Sequence, residues 1–304
     1  MEASATSNTS AAALRRHAIL CVLGASAFFA VVSGLIKAVA SDIPTFEIAL
    51  FRSAVVGMVI FTMLLRKGGL AQMLRTRNPW GHVMRTGFGF AGMTRSFYGY
   101  GHLPLATNTA LGFAMPLVLT VLSGPLLGER VGWQRVAAVV AGMAGVLVMV
   151  QPWQADADAL PIIPVLVVLA GVVCWAFSMI SIRRLGASGE SNEAIILWFS
   201  IGGTLLAALL SVPVWVTPSP VQLVGLVGIG LVSAAAQLLM TEGYRSGEAT
   251  LVAPFEYGAI LYTTIMGMLI WAEFPDAWDG LGIAVIVASG LYVWSREARA
   301  TRRT

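Results

Sequence analysis

The sequence predicts an all-α membrane protein with ten transmembrane helices in two inverted five-helix repeats, and with both termini in the cytoplasm. Of its 304 residues, 57% are hydrophobic and only 11% are charged, whereas soluble domains average about 45–50% and about 25%. Apolar stretches of membrane-spanning length recur along the chain, and its two halves resemble each other. This excess of apolar side chains indicates that lipid solvates much of the surface.

The apolar stretches have the length of transmembrane helices. A helix needs about 20 apolar residues to cross about 30 Å of hydrocarbon. Within lipid the backbone must satisfy its own hydrogen bonds, and stretches of this length do so as helices rather than as barrel strands. The predicted spans are 17–39, 45–66, 79–101, 105–127, 132–150, 161–182, 193–214, 221–242, 250–272 and 278–295.

The predicted domains follow from these spans. A first five-helix repeat covers 17–150 and a second covers 161–295, between a small, polar and disordered tail at 1–16 and a basic tail at 296–304. The first apolar stretch is too long for a cleaved signal peptide, whose apolar region has about 7–15 residues. Cys21 and Cys174 both fall inside predicted spans, which argues against a disulfide framework.

Positive charge predicts the orientation. Sixteen of the nineteen lysines and arginines lie in segments or helix ends that share one side of the membrane if the N-terminus is inside, and loops that retain such charge are cytoplasmic. These are Arg15, Arg16, Arg66, Lys67, Arg75, Arg77, Arg85, Arg130, Arg135, Arg183, Arg184, Arg245, Arg296, Arg299, Arg302 and Arg303. The predicted outer loops instead hold Asp42, Asp156, Asp158, Glu273, Asp276 and Asp279. The net charge of +4 is therefore a topology signal and predicts no nucleic-acid partner.

The two halves match at an offset near 144 residues. The matched positions are Leu127-Gly128-Glu129 with Trp271-Ala272-Glu273, Tyr100 with Tyr244, Val22-Leu23 with Val168-Leu169, Phe29 with Trp175, and Lys37 with Arg183. Five helices are an odd number, so the second half enters the membrane from the opposite side. Inverted repeats of this kind are typical of secondary transporters, which bind substrate near the midplane between the repeats. A duplication retained only for stability is the alternative.

Four stretches of the chain resemble the EamA-type members of the drug/metabolite transporter superfamily. They are Phe46-Glu47-Ile48-Ala49-Leu50-Phe51-Arg52, Leu103-Pro104-Leu105-Ala106 leading through Pro116 to Gly128-Glu129, Ala253-Pro254-Phe255-Glu256-Tyr257, and Ala272-Glu273-Phe274-Pro275-Asp276. The similarity covers about residues 18–296. It implies ten helices in two inverted repeats and cargo ranging over amino acids, vitamins and nucleoside-type compounds. Gly92-Met93-Thr94 and the stretch around Glu273 are most similar to S-adenosylmethionine importers.

Two arginines inside predicted spans are candidates for substrate binding. An ionisable group at a helix centre costs at least about 2.5–3.5 kcal/mol on insertion, so it is rarely retained without a role. Arg52 and Arg95 could each bind a substrate carboxylate through paired hydrogen bonds. The alternatives are an ion pair with Glu47, five residues before Arg52 and poorly placed for it, or capping of a neighbouring helix end.

The ninth span supplies a second group of candidates. Pro254 removes a backbone donor, so a freed carbonyl could bind a cation or a substrate ammonium. Glu256 could carry a coupling proton, or it could pair with an inner-loop arginine. Tyr257 and Gln237 are candidate hydrogen-bonding residues of the same site.

Aromatic and polar residues complete the predicted substrate site. Phe29 and Trp175 are equivalent in the two repeats and would face each other across a cavity, where they could stack on a flat ring or a cation, although packed or lipid-facing aromatic residues are commoner. Asn108 and Met115 lie opposite the ninth span. Lys37 is expected to extend to the outer interface.

These features predict secondary transport of a small polar metabolite, amino acid-like or S-adenosylmethionine-like, by alternating access. The substrate would lie between Arg95 and the Glu256–Tyr257 pair. Its partners would be that metabolite and the lipid bilayer. No GxxxxGK[ST] phosphate loop occurs, so no ATPase domain is expected in this chain. We also expect no metal and no cofactor. Seventeen arginines against two lysines suggest a GC-rich bacterial source and its inner membrane.

Three other functions stay open at this point. A lipid or lipid-linked sugar flippase would need a lateral opening, which sequence does not reveal. A receptor or scaffold would bind without turnover. An enzyme is least expected, because His17, His82 and His102 all lie at predicted helix ends and no carboxylate pair lies at helical spacing in mid-membrane.

Overall fold

The computed structural model describes residues 2–67, 75–115, 117–119, 121–122, 133–151, 160–246 and 253–301. Within these ranges all regular secondary structure is helical, as predicted. The α-helices are α1 (Glu2–Val39), α2 (Thr45–Lys67), α3 (Pro79–His102), α4 (Leu105–Gly112), α5 (Trp133–Val150), α6 (Ile162–Ala187), α7 (Asn192–Ser211), α8 (Pro220–Ser246), α9 (Gly258–Trp271) and α10 (Ala277–Thr301). Two 3₁₀ helices, Val212–Val214 and Ala253–Tyr257, precede α8 and α9.

Five helices of the described chain are long and apolar enough to cross a membrane. They are Arg16–Val39, Thr45–Arg66, Ile162–Ala187, Glu193–Val214 and Pro220–Gly243. Helix α3 has the length but a lower hydropathy, because Arg85, Arg95 and several glycines interrupt its apolar residues. The total of ten crossings and the cytoplasmic termini stay predictions.

Three segments differ from the sequence prediction. Helix α1 begins at Glu2, so residues 2–16 are helical and not a disordered tail; this segment is rich in alanine, a strong helix former, and contains neither glycine nor proline. The predicted ninth span begins as 3₁₀ helix at Ala253–Tyr257, where Pro254 removes a backbone donor. Pro116, Glu129, Asp156, Asp158 and residues 302–304 lie outside the described residues.

Local signals set the helix ends. Helix α3 begins with Pro79 at its first turn, and the Asn78 side chain accepts a hydrogen bond from the Gly81 N–H at 2.9 Å. Helix α9 ends at Ala272 in the left-handed conformation (φ +55°), so that the Glu273 N–H bonds to the Gly267 carbonyl at 3.1 Å. This turn fixes the position of Glu273.

Contacts between the helices obey the internal repeat. Helix α1 packs on α8 and α6 packs on α3, α2 packs on α7, α5 packs on α10, and the contact of α1 with α9 corresponds to that of α6 with α4. Exchanging each helix of the first half (α1–α5) with its equivalent in the second half (α6–α10) converts the α1–α8 contact into the α6–α3 contact and the α1–α9 contact into the α6–α4 contact. The α2–α7 and α5–α10 contacts are unchanged by the exchange. The two halves therefore meet through a pseudo-twofold arrangement.

Close glycine contacts give the same relation at residue level. A β-carbon at Gly99 would lie 2.5 Å from Val168, and one at Gly243 would lie 2.6 Å from Val22. Likewise, a β-carbon at Gly81 would lie 2.8 Å from Leu185, and one at Gly225 would lie 3.5 Å from Val39. Each pair of glycines and each pair of partners is equivalent in the sequence match of the two halves. Glycine here lets two helix backbones approach closely.

The bundle has two ends, which we name by their ion pairs. The Lys37 end contains residues 40–44, 103–104, 212–219 and 272–276, and it is the predicted outer side. The Glu190 end contains residues 75–78 and 188–191, and it is the predicted cytoplasmic side. Two large apolar clusters and three smaller ones lie between the ends in the described part of the chain. Cluster A includes Ile36, Ile48, Phe90 and Met93, and cluster B includes Leu111, Met149, Val165 and Ile260.

The glycine contacts yield a stability prediction. Gly99→Ala and Gly243→Ala insert a methyl group into tight helix interfaces, which costs about 1–3 kcal/mol of folding free energy in a well-packed interior. Gly228→Ala is the matched control, because nothing lies within 4 Å of the added β-carbon. Thermal unfolding in detergent measures all three. Equal midpoints for the control and the two interface variants would contradict the assigned packing.

Candidate functional site

A buried arginine of α3 occupies the interface between the two halves. Arg85 is 7% exposed, and its Nη1 donates a hydrogen bond of 2.5 Å to the Ser178 hydroxyl of α6. Its guanidinium carbon lies 4.1 Å from the ring centre of Phe199 and 5.8 Å from that of Trp175. These are the distances of cation–π contacts. The sequence grouped Arg85 with the inner segments and helix ends, and it did not predict that the side chain would lie inside the bundle.

Gly89 explains why the side chain can lie there. The Arg85 Nη1 occupies the position that a β-carbon at residue 89 would take, and the Ser178 hydroxyl and the Phe199 ring come within 2.8 and 2.9 Å of that position. The guanidinium therefore extends about one helical turn along α3, away from the Glu190 end. A larger residue at 89 would expel it.

Arg52 of α2 lies near this arginine. Its Nη1 donates to the Met93 sulfur at 3.4 Å, and Met93 belongs to the same apolar cluster A as Phe199, the ring beside Arg85. Among the described residues, neither arginine has a carboxylate within ion-pair distance; the ion pairs there involve His17, Lys37 and His82. Two like charges thus share the bundle interior.

Glu47, the alternative partner of Arg52, is engaged elsewhere. It is fully buried, and its Oε2 accepts a hydrogen bond of 3.2 Å from the Val216 N–H in the segment that leads into α8. The pair that the sequence left open between Arg52 and Glu47 is therefore not formed. Glu47 instead joins the start of α2 to the second half.

Arg95 has partners at the α3–α6 interface. Its Nη1 donates to the Ala91 carbonyl of its own helix at 3.3 Å and to the Cys174 sulfur at 3.6 Å. A β-carbon on Gly171 of α6 would lie 2.8 Å from the Arg95 Cβ, so the two helices are in close contact at this point. Arg95 is partly buried and lies ten residues, or nearly three helical turns, beyond Arg85 along α3.

Tyr257 lies in a different layer, between α4, α9 and α10. Its ring stacks on Phe113 with the centroids 4.6 Å apart, and its hydroxyl fills the space that a side chain at Gly290 would occupy. Met115 packs on the same apolar cluster B. Glu256 is partly buried in the 3₁₀ helix beside it. Tyr257 and Met115 therefore pack on cluster B, whereas Arg52 and Trp175 lie with cluster A.

Asn108 joins α4 to α3. It is 2% exposed, its Nδ2 donates to the Ser96 carbonyl at 3.1 Å, and its Oδ1 points at Gly99. Gln237 and Phe29 are partly buried on α8 and α1. Within the described residues, no hydrogen bond or ring contact joins the side chains of these two residues to the other candidates. Their predicted roles stay predictions.

Lys37 does not extend to the interface as expected. Its Nζ lies 2.5 Å from Glu273 Oε1 and donates to the Leu103 carbonyl at 2.9 Å. Glu273 Oε2 also accepts the Leu105 N–H at 3.0 Å. The side chains of Lys37 and Glu273 are only 14% and 20% exposed. This ion pair joins the end of α1, the α3–α4 turn and the α9–α10 turn at the Lys37 end.

At the opposite end, the carboxylate of Glu190 joins the α6–α7 loop to the segment before α3. Sequence reasoning did not predict this contact. Glu190 Oε1 accepts hydrogen bonds from the Thr76 hydroxyl at 2.8 Å and the Arg77 N–H at 2.7 Å. Its Oε2 lies 3.6 Å from Nε2 of the buried His82. Burial raises the pKa of Glu190, but these hydrogen bonds and His82 outweigh it, so the pKa lies below its usual value. Glu190 was visible in the sequence as an acidic residue beside a basic segment.

The Lys37–Glu273 pair predicts a measurable coupling. Removing one partner of a fully buried pair costs about 3–5 kcal/mol, and partial exposure reduces that figure here. Lys37→Met and Glu273→Gln should each lower the unfolding midpoint, and the double variant should lose less than the sum. A double-mutant cycle measures this difference. Strictly additive losses would show that the pair contributes nothing.

The depressed pKa of Glu190 predicts a pH dependence. A carboxylate with a lowered folded-state pKa stabilises the protein above its unfolded pKa of about 4.3, and this contribution is lost as the pH falls through the folded value. Glu190→Gln should therefore cost about 1.5–3 kcal/mol at pH 7, the range for hydrogen bonds to a charged group, and almost nothing in strong acid. The exposed Glu193→Gln is the control. A loss that is independent of pH would contradict this assignment.

Comparison with known proteins identifies the family. The EamA-like transporter family matches residues 16–151 and again residues 162–295. A riboflavin transporter of Vibrio cholerae is 27% identical, covering 93% of this chain and 95% of the relative. An S-adenosylmethionine uptake transporter of Rickettsia prowazekii is 28% identical (86% and 87%), and a pseudopaline exporter of Pseudomonas aeruginosa is 30% identical (91% and 95%).

The fold also matches a solved structure. A crystal structure superposes with a TM-score of 0.61 at 21% identity, over 93% of this chain and 95% of the other. The family and the relatives named above are transporters rather than enzymes. With two copies of the family domain and apolar helices of spanning length, the chain belongs to the EamA-like transporters of the drug/metabolite transporter superfamily and is a multi-pass membrane transporter.

Proposed function

We propose that this chain is a secondary transporter that moves a small polar metabolite, amino acid-like or S-adenosylmethionine-like, across the bacterial inner membrane by alternating access. The observation that carries the proposal is the exchange symmetry of the helix contacts. Because the two halves are inverted repeats, contacts that one half makes at one end of the bundle can be made by the other half at the opposite end. Two conformations, each open at one end, are then close in energy.

The polar contacts at the two ends of the bundle, which we call ties, fit this mechanism. The Lys37–Glu273 pair joins α1 to the α9–α10 turn of the other half. Glu190 joins the α6–α7 loop to the segment that leads into α3. A conformation open at one end requires the tie at that end to break, whereas the other tie holds. We infer that the Lys37 end is extracellular, as positive charge in the sequence predicts.

A zwitterion suits the groups inside the bundle. Its anionic part would contact arginine, its cationic part would contact Glu256 and the Tyr257 ring, and a flat ring would stack on Trp175. Arg95, Gln237, Phe29, Asn108 and Met115 remain candidates around the same path. The names of the three relatives support small-molecule cargo for the family.

Counterflow in proteoliposomes tests the function. Vesicles loaded with unlabelled S-adenosylmethionine receive the labelled compound outside, and the protein should accumulate label above the level of protein-free vesicles. Glu256→Gln should lower the rate about tenfold or more, because a hydrogen bond or contact to a charged group contributes about 1.5–3 kcal/mol. Glu193→Gln, exposed at the start of α7, is the control.

The outcomes separate function from cargo. Counterflow of riboflavin or of an amino acid, in place of S-adenosylmethionine, would keep the transport proposal and change the cargo. Well-folded protein that supports no counterflow of any compound in this panel would contradict transport of a small polar metabolite.

A further inference from the structure

The arginine pair of α2 and α3 has little internal compensation for its charge. Arg85 is buried and Arg52 is partly buried in the bundle, and the described residues offer them a hydroxyl, a thioether and aromatic faces but no carboxylate. Two like charges in a medium of low dielectric repel each other and attract an anion. Glu47 is the one acidic residue of α2 and α3. Its Oε2 bonds to the Val216 N–H of the second half, and it forms no ion pair with either arginine.

The geometry of Arg85 leaves donors available. A guanidinium carries five N–H donors, and only Nη1 has a hydrogen-bond partner among the described residues, the Ser178 hydroxyl. Its Nε is buried and has no hydrogen-bond partner in the same part of the chain. The guanidinium carbon lies 4.1 Å from the centre of the Phe199 ring. Such a fork matches the two oxygens of a carboxylate or phosphate.

The position of the pair couples it to transport. Arg52 and Arg85 come from the first half, whereas Ser178, Trp175 and Phe199 come from α6 and α7 of the second half. A ligand held here touches both repeats, and rearrangement of the repeats changes its surroundings. Gly89 supports this role, because its lack of a side chain admits the guanidinium.

We propose that Arg85 and Arg52 form an anion site that binds the carboxylate or phosphate group of the transported metabolite, with Trp175 and Phe199 alongside. The inference rests on the proposed function, since the anion is part of the cargo. It goes further by requiring an anionic group on the cargo and by assigning that group to Arg85, a residue that sequence reasoning placed at a helix end.

A matched pair of ligands tests the site. S-adenosylmethionine and its decarboxylated form both carry the sulfonium, the amine and the adenosine, and they differ only in the carboxylate. Each is added to purified protein in low-chloride buffer, and the ligand concentration that raises the unfolding midpoint gives an apparent affinity. Inorganic phosphate and acetate are further probes, and none of these measurements requires transport.

The expected result is a preference of about ten- to a hundredfold for the carboxylate form, the range set by charge-assisted hydrogen bonds. Arg85→Gln should abolish that preference, and Gly89→Ala should weaken it while keeping both charges. Arg66→Gln, an exposed arginine at the end of α2, should leave it unchanged. The midpoint of each variant without ligand shows whether it folds.

Other results would overturn the inference. Loss of the preference in Arg95→Gln but not in Arg85→Gln would assign the carboxylate to Arg95. Stabilisation of wild-type protein and Arg85→Gln by the same amount, for every anion in the panel, would show that no anion binds at the pair. Carboxylate-selective binding without counterflow would support the anion site and contradict the transport proposal. Counterflow that uses both ligand forms equally would support transport and contradict the anion site.

Discussion

A polar group inside a lipid-embedded bundle must find its partner within the protein, and most features of this structure follow from that constraint. Lys37 reaches Glu273 and the Leu103 carbonyl, and Glu47 reaches the Val216 N–H. Arg52 and Arg85 have polar and aromatic contacts but no ionic partner among the described residues. A charge at a helix centre costs at least about 2.5–3.5 kcal/mol on insertion scales, and the carboxylate that would compensate it is absent from the described residues around them. A bound anion would supply the missing charge.

The inverted repeat makes such a site usable from both sides. Equivalent glycine contacts, such as Gly99 with Val168 and Gly243 with Val22, show that each half presents the same packing surface to the other. Tight small-residue contacts bring the backbones of each helix pair close together. In the proposed mechanism the polar contacts at the two ends break in alternation. Lys37 and Glu190 provide those ties at opposite ends, and ligand charge at the centre can favour one conformation over the other.

Sequence reasoning predicted the helices, the duplication and the family because these depend on patterns spread over many residues. The match of Val22 with Val168, made on sequence alone, agrees with the glycine contacts. Sequence reasoning did not predict the directions of the Arg85 and Lys37 side chains, because the position of a residue along a helix does not determine where a long side chain extends. The four-residue spacing of Gly89 from Arg85 was the available signal, since residues four apart share a helix face. The ties to Glu190 and Glu273 join distant segments, and hydropathy carries no information about such pairs.

The central claim is that the two ends of the bundle open in alternation around the arginine pair. Spin labels at positions 42 and 276 report on the Lys37 end, and labels at positions 16 and 187 report on the Glu190 end, with Cys21 and Cys174 replaced by alanine. Double electron–electron resonance then measures both distances in reconstituted protein, with and without an anionic ligand and in the Lys37→Met background. The account predicts that one distance lengthens as the other shortens. Two distances that stay fixed, or that change in the same direction, would contradict it.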